Sequence, residues 1–310
     1  MKISIIGSGA MGSLFGGRLA LSGQDVVLYD VYQEHVDAIN KAGLAIEDAA
    51  TGQVTLVHPR ASSDPQSVAG SDVLIIFVKS TTTEEAAAKF KAFAKPDTIA
   101  LTLQNGLGNE EILRKHFGPQ RTAAGVTSQG ATFLGPGKIR HAGKGPTHMA
   151  MADGDSKKLA ALAAALGAAG FEIHVDQDVA SMVWSKLLIN VGINALTALL
   201  NIKNGQLLDY ADVKSLMADL VTEAVAVAKA RGVHLTYDDP IATVYDVAQK
   251  TGANASSMLQ DFQKSRQSEI DFMNGAIVRE AKILGIPVPV NEALTRLVRT
   301  MDLIHTKKEA

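Results

Sequence analysis

Lys186, Asn190 and Asn194 recur four residues apart in the stretch KLLINVGINALTALLNIKNG, which is otherwise largely apolar. Four-residue steps keep side chains on one face of a helix, so the spacing predicts a polar stripe along an apolar helix. Burying an ammonium and two carboxamides without partners costs on the order of several kcal/mol, which a ligand can offset. Reduction of a carbonyl group produces an alkoxide as hydride arrives. An ammonium can stabilise that charge and then surrender its proton as general acid. The two asparagines can hold carboxylate or hydroxyl groups. The competing reading is a solvent-facing stripe, since lysine and asparagine are common on exposed helix faces.

A second cluster lies in NASSMLQDFQKSRQSEIDFMNG, where Ser257 and Glu269 are twelve residues apart. One unbroken helix would separate them by about 18 Å, too far for both to touch one small substrate. Either the helix breaks around QKSRQS or the two residues meet different groups. Without a ligand, Ser256 or Ser257 reads as an N-cap and Glu269 as part of a solvated face.

Such a reduction needs a hydride donor, and the N-terminus offers a place for one. KISIIGSGAMGSLFGGRLALSG passes from a β-branched strand into Gly7, Gly9 and Gly12 and then into a helical pattern. In this context G-x-G-x-x-G is a dinucleotide-binding turn: Gly7 permits the turn, Gly9 admits a pyrophosphate, and Gly12 lets helix and strand pack closely. The whole loop (Gly7, Ser8, Gly9, Ala10, Met11 and Gly12) is the candidate cofactor site, with free helix N–H groups facing the phosphates. The next strand, DVVLYD, ends at Asp30, placed to accept hydrogen bonds from the adenosine ribose and to repel a 2′-phosphate. No lysine or arginine follows until Lys41, so the sequence favours NADH over NADPH. Capping of the following helix is the alternative role for Asp30.

Further strands deliver further candidates. SDVLIIFVKS reads as a strand buried on both faces, with Lys79 at its carboxyl end, where open α/β sheets bind ligands. DTIALTLQNGLGNEEIL repeats strand, turn and acidic-first helix, with Asn105 in the turn. Short β-rich runs over residues 122–151 suggest antiparallel strands closing the sheet, and Ala131 lies where backbone lines the cofactor site. His141 and His148 lack companion ligands, so they read as surface or core histidines and no metal site is expected.

From about Asp176 onward the periodicity is helical over residues 179–200, 213–231, 240–250 and 269–285, followed by a last helix after GIPVPV. The expectation is an α/β, Rossmann-type dinucleotide-binding domain over residues 1–176, followed by an all-α substrate and catalytic domain over 177–310, with a ligand site in the cleft between them. The 310 residues suffice for two cores. A net charge of −2 offers no footprint for nucleic acid or anionic membrane, and the absence of cysteine removes disulfide, thiolate and Cys-ligated metal chemistry. The N-terminal apolar run is short and broken by glycine, a strand rather than a signal peptide, which implies a cytoplasmic protein. Asparagines interrupt residues 187–200, so no membrane span is expected.

GSGAMG, Lys79, QNGLG, KLLINVGINALTAL, KNGQL and SSMLQDFQKSRQSEIDFMNGAIV together resemble the 2-dehydropantoate 2-reductase (ketopantoate reductase) family, over essentially the whole chain and in the family's order and spacing. The resemblance implies reduction of 2-dehydropantoate to (R)-pantoate by NAD(P)H in pantothenate and coenzyme A biosynthesis. It makes Lys186 the proton donor, and Asn190, Asn194, Asn204, Asn254 and Ser257 substrate-binding groups, with Ser257 at the carboxylate. It assigns Glu269 to catalysis and to cofactor or substrate hydroxyl contacts, Asn105 and Ala131 to the cofactor, and Lys79 to the nicotinamide ribose; a homodimer is also implied. Family members that prefer NADPH have an arginine where this chain has Asp30 and then Val31. That departure implies NADH preference. It also admits an NAD-dependent D-2-hydroxyacid dehydrogenase resembling D-mandelate dehydrogenases, which is similar over the same motifs. A dinucleotide sensor without catalysis is a third reading, and Lys186 together with Glu269 argues against it.

Overall fold

The structure, a computed structural model, describes residues 1–308. The chain begins β1 (Lys2–Ile6), α1 (Ala10–Leu21), β2 (Asp25–Tyr29), α2 (Gln33–Ala42), β3 (Leu44–Asp48), β4 (Val54–Val57), β5 (Arg60–Ser62), β6 (Val73–Ile76), α3 (Thr83–Lys91), β7 (Ile99–Thr102) and α4 (Asn109–Phe117). It continues β8 (Thr122–Thr127), β9 (Gly130–Gly135), β10 (Lys138–Gly143), β11 (Thr147–Met151), α5 (Ala160–Ala168) and β12 (Ile173–Val175). The remainder is helical: α6 (Ala180–Leu200), α7 (Ala211–Ala230), α8 (Pro240–Lys250), α9 (Ser257–Gln263), α10 (Asn274–Leu284) and α11 (Pro289–Lys308). Two compact units divide it: residues 1–104 with 109–179, and residues 105–108 with the chain from Ala180 onward.

In the first unit an eight-stranded sheet has the order β12-β11-β8-β7-β6-β1-β2-β5. From β5 to β8 every neighbouring pair is parallel, the doubly wound order of dinucleotide-binding folds. Alternation along β1 sends Ile3 and Ile5 into one core with α1 and α5, and Ile6 into another with α3 and α4. Burial on both faces explains why these strands are nearly all Val, Ile and Leu.

Residues 122–151 differ from the expected closing strands. β8 pairs in parallel with β7, and β11 runs antiparallel to β8, but β9 and β10 leave this sheet and join β3 and β4 in a four-stranded one of order β4-β3-β10-β9. The reason is one-sided burial. β8 is buried at every position, whereas β10 alternates exposed and buried residues, as a strand covering a single face must. A side chain at Gly17 of α1 would meet Ile46 and Leu44 within 3 Å, which is how closely this small sheet lies on α1.

In the second unit α6 is apolar on nearly all sides and contacts α7, α8, α9 and α11. It is long and apolar enough to cross a membrane, but 67% of that segment is buried inside the protein, as in the core helix of a bundle. Gly192 lets neighbours approach: a Cβ there would lie 2.8 Å from Val244 of α8 and 3.1 Å from Val221 of α7. The helix ends where Asn201 takes a left-handed conformation, and the Ile202 N–H returns to the Thr197 carbonyl. The expected helix over 269–285 begins only at Asn274, after a single 3-10 turn at Ile270–Phe272.

Candidate active site

The glycine loop is shaped by sterics. Gly7 has φ +92°, and a Cβ there would lie 2.7 Å from the Val78 nitrogen; at Gly12 it would lie 2.0 Å from the Gly7 carbonyl oxygen. Both positions are closed to any side chain by the fold itself. Gly9 is different, with nothing within 4 Å of its would-be Cβ. That open space sits over the start of α1, whose Gly9 N-cap has no side-chain hydrogen bond and whose first turn has no acidic residue. Uncapped N–H groups beside free volume fit a dinucleotide pyrophosphate.

Asp30 ends β2 beside this loop. One carboxylate oxygen accepts from the Ser8 N–H at 2.6 Å and from the Ser8 hydroxyl at 3.2 Å, and the other accepts from the Tyr32 N–H at 3.0 Å. Tyr32, rather than Asp30, is the N-cap of α2. A carboxylate has about four acceptor positions, so one remains open to a further donor. Val31, the next residue along the chain, is 79% exposed.

Lys79 is exposed, just beyond β6 at the head of a 3-10 turn. Ala131 lies in β9, half-buried against the α/β core. Asn105 belongs to the helical unit, because its turn is anchored there: the Leu107 N–H donates to the Phe272 carbonyl at 2.8 Å, and Gly106, at φ +87°, leaves no room for a Cβ beside that same oxygen.

On α6, Lys186 is half-buried as a whole residue, yet its ammonium is surrounded densely enough that desolvation pulls its pKa from 10.5 down to about 8. Asn190 is half-buried and Asn194 buried. The stripe is therefore not a solvated face. The Asn194 amide faces the Ser257 hydroxyl at 3.4 Å and the Met273 sulfur at 3.3 Å, while Thr197 one turn on meets Ser256 at 2.7 Å. Ser256 is the N-cap of α9, accepting from the Leu259 N–H, which leaves Ser257 free of that duty.

The separation of Ser257 from Glu269 is resolved by a helix break. α9 stops at Gln263, Ser265 takes a left-handed conformation, and the Arg266 N–H returns to the Asp261 carbonyl. Ser268 is then clamped by Asp302 of α11, through its N–H at 3.0 Å and its hydroxyl at 2.8 Å. Burial raises the pKa of that aspartate. The adjacent Glu269 is 7% exposed, not on a solvated face. Asn204 and Asn254 also come together: the Asn204 backbone N–H donates to the Asn254 carbonyl at 3.1 Å and its side-chain amide to the Thr251 hydroxyl at 2.9 Å, leaving the side-chain Oδ1 of Asn204 buried and unpaired. The Asn254 side chain itself is exposed.

Sequence reasoning missed the polar core beneath these groups. Asn274 and Asn291, both 0% exposed, hydrogen-bond at 3.1 Å; Asn274 also reaches the Val191 carbonyl of α6, and Asn291 reaches Glu223. Polar residues at otherwise apolar helical positions were the available signal. Among the described residues no group of three or more His, Cys, Asp or Glu side chains is placed to hold a metal ion.

Comparison with known proteins yields two family matches: the model described as "Ketopantoate reductase PanE/ApbA" covers residues 3–154, and its C-terminal counterpart covers 178–302. A 2-dehydropantoate 2-reductase of Halobacterium salinarum is 36% identical over 302 residues, 96% of this chain and 98% of that one. The crystal structure of a PanE/ApbA family ketopantoate reductase from Ralstonia eutropha JMP134 is 36% identical, with TM-score 0.90, covering 99% of this chain and all of that one. A ternary structure of D-mandelate dehydrogenase with NADH and anilino(oxo)acetate is 30% identical, with TM-score 0.89 over 99% of this chain and all of that one.

Proposed function

The chain belongs to the ketopantoate reductase family and is an NAD(P)-dependent oxidoreductase, and from that premise we propose that it reduces 2-dehydropantoate to (R)-pantoate, with Lys186 as general acid. The bound nicotinamide supplies the hydride. The chain's own residues do the rest. The open volume at Gly9 and the uncapped start of α1 hold the pyrophosphate, Asp30 takes the adenosine ribose, and Lys79, Asn105 and Ala131 are the remaining cofactor contacts. Lys186 meets the oxygen of the carbonyl under attack, stabilises the charge that develops there and delivers its proton to that oxygen. Asn190, Asn194 and Asn204 bind the substrate's hydroxyl and carboxylate, Ser257 the carboxylate, Asn254 borders them, and Glu269 contacts a hydroxyl of substrate or cofactor.

The observation that carries this reading is the Lys186 ammonium. Its pKa of about 8 leaves it protonated yet a far better acid at neutral pH than an ordinary lysine. A dinucleotide sensor has no use for such a group. NADH is the cofactor we assign, because Asp30 and exposed Val31 offer a 2′-phosphate a carboxylate and no cation. A cytoplasmic location and a homodimer belong to the same reading; light scattering at twice the 32.6 kDa chain mass would support the dimer.

The second reading is a D-2-hydroxyacid dehydrogenase acting on bulkier 2-oxo acids, favoured by the likeness to a D-mandelate dehydrogenase solved with NADH. Absorbance assays of NADH and NADPH oxidation with 2-dehydropantoate, benzoylformate and 2-oxoisocaproate separate the two. Selective turnover of 2-dehydropantoate supports the first reading. Preference for a bulkier acid replaces it.

A further inference from the structure

His35, on α2, is 1% exposed and lies outside every motif that points to the site. Its ring joins a continuous chain of hydrogen bonds. The Gly137 N–H, in the turn between β9 and β10, donates to His35 Nδ1 at 2.9 Å. That bond requires Nδ1 to be unprotonated and places the ring proton on Nε2. Nε2 faces the Ser13 hydroxyl at 3.1 Å, and that hydroxyl spends its own proton on the Ser8 carbonyl at 2.6 Å. Ser8 is held from the other side as well, by its N–H on Asp30. Both polar ends of the residue between Gly7 and Gly9 are therefore fixed, one by the ribose-binding acid and the other by the histidine.

We propose that His35 is a positioning residue for the cofactor: its neutral, Nε2-protonated ring sets the Ser8 peptide, and through it the glycine loop, for dinucleotide binding. The inference rests on the reading of that loop as an NADH site. A second proton on His35 would turn Nδ1 into a donor facing the Gly137 donor, so the ring would have to move and release Ser13. The charged group that faces the ring is Asp30, which together with the Ser8 carbonyl favours protonation. The flanking rings of Tyr32, at 6.5 Å, and Phe133, at 5.0 Å, carry no charge. Burial outweighs the two favourable influences and lowers the pKa of His35 below the usual 6.5.

The test is NADH binding, followed by nucleotide fluorescence from pH 8 to pH 5, for wild type, His35→Gln and His35→Phe. Glutamine can accept from Gly137 and donate to Ser13 without titrating; phenylalanine fills the space and does neither. At pH 8 we expect His35→Phe to bind about tenfold more weakly and His35→Gln to stay within about threefold of wild type. Wild-type affinity should fall on the acid side and that of His35→Gln should not. Equal affinity of both variants at pH 8 overturns the positioning role. A wild-type affinity flat to pH 5, or the same acid decline in His35→Gln, overturns its proton dependence. Wild type that binds neither NADH nor NADPH refutes the cofactor reading itself, a different failure.

Discussion

The two compact units hold their candidate groups by different means. In the α/β unit the site is mostly backbone: glycines with no room for a side chain, N–H groups at the start of α1, and one carboxylate locked to a neighbouring peptide. In the helical unit it is side chains drawn from α6, the start of α9 and the loop before Asn274, brought together by packing and hydroxyl contacts. The first kind of site is fixed by local sterics within a few residues. The second depends on burial, and burial lowers the pKa of Lys186. Groups of the first kind cost little stability, whereas an ammonium desolvated like that of Lys186 destabilises the fold.

The largest expected effect breaks the second site and spares the first. Lys186→Ala should lower kcat by about 10³ or more, within reach of a lost general acid that is also an oxyanion donor, with the NADH Kd unchanged within twofold. Lys186→Met, which keeps the apolar stem, should fold more stably. The folded pKa of about 8 lies below the unfolded 10.5, so both states are protonated at pH 7 and the native state carries the net cost of holding the charge, relieved only as pH rises from 8 toward 10.5. At about 1.4 kcal/mol per pKa unit, removing the charge is worth up to ~3 kcal/mol, measurable as a higher denaturation midpoint.

The converse break falls on the glycines. Gly12→Ala should cost about 3 kcal/mol of stability, because its Cβ meets a carbonyl oxygen that cannot yield. Gly9→Ala should leave stability within about 0.5 kcal/mol yet weaken NADH binding about tenfold by filling the open space proposed for the pyrophosphate. Equal melting temperatures for the two variants would sink the distinction. A smaller change sharpens cofactor choice: Asp30→Asn keeps an acceptor for Ser8 but drops the charge, and should shift the NADH to NADPH ratio of kcat/KM by about tenfold toward NADPH. The smallest separates the substrate groups. Asn194→Ala should raise KM for the 2-oxo acid by about tenfold, whereas exposed Asn254→Ala should change it less than about twofold.

The same contrast governs what the sequence discloses. The glycine pattern and Asp30 are legible because they lie within one strand-helix-strand unit, where spacing stands in for geometry. The stripe on α6 is legible as a pattern, since helical period alone groups Lys186 with Asn194. The break that places Ser257 and Glu269 on separate segments is only posed as a question by their spacing. It is decided by a left-handed Ser265 and by Asp302, thirty-four residues beyond Ser268. The small β4-β3-β10-β9 sheet is equally hidden, because its parallel β3–β10 pairing joins segments about ninety residues apart, a choice no local pattern records. His35 and Asn274 are of this kind: ordinary residues in helical periods, whose roles exist only through distant partners.

The general-acid role of Lys186 is tested by the pH dependence of kcat/KM for 2-dehydropantoate reduction at saturating NADH, a quantity that reports the acid before substrate binds. With Lys186 as the acid, activity should fall about tenfold per pH unit above a midpoint near 8, where its ammonium loses the proton. A profile flat through pH 9.5, or one that Lys186→Ala leaves unchanged, would contradict it.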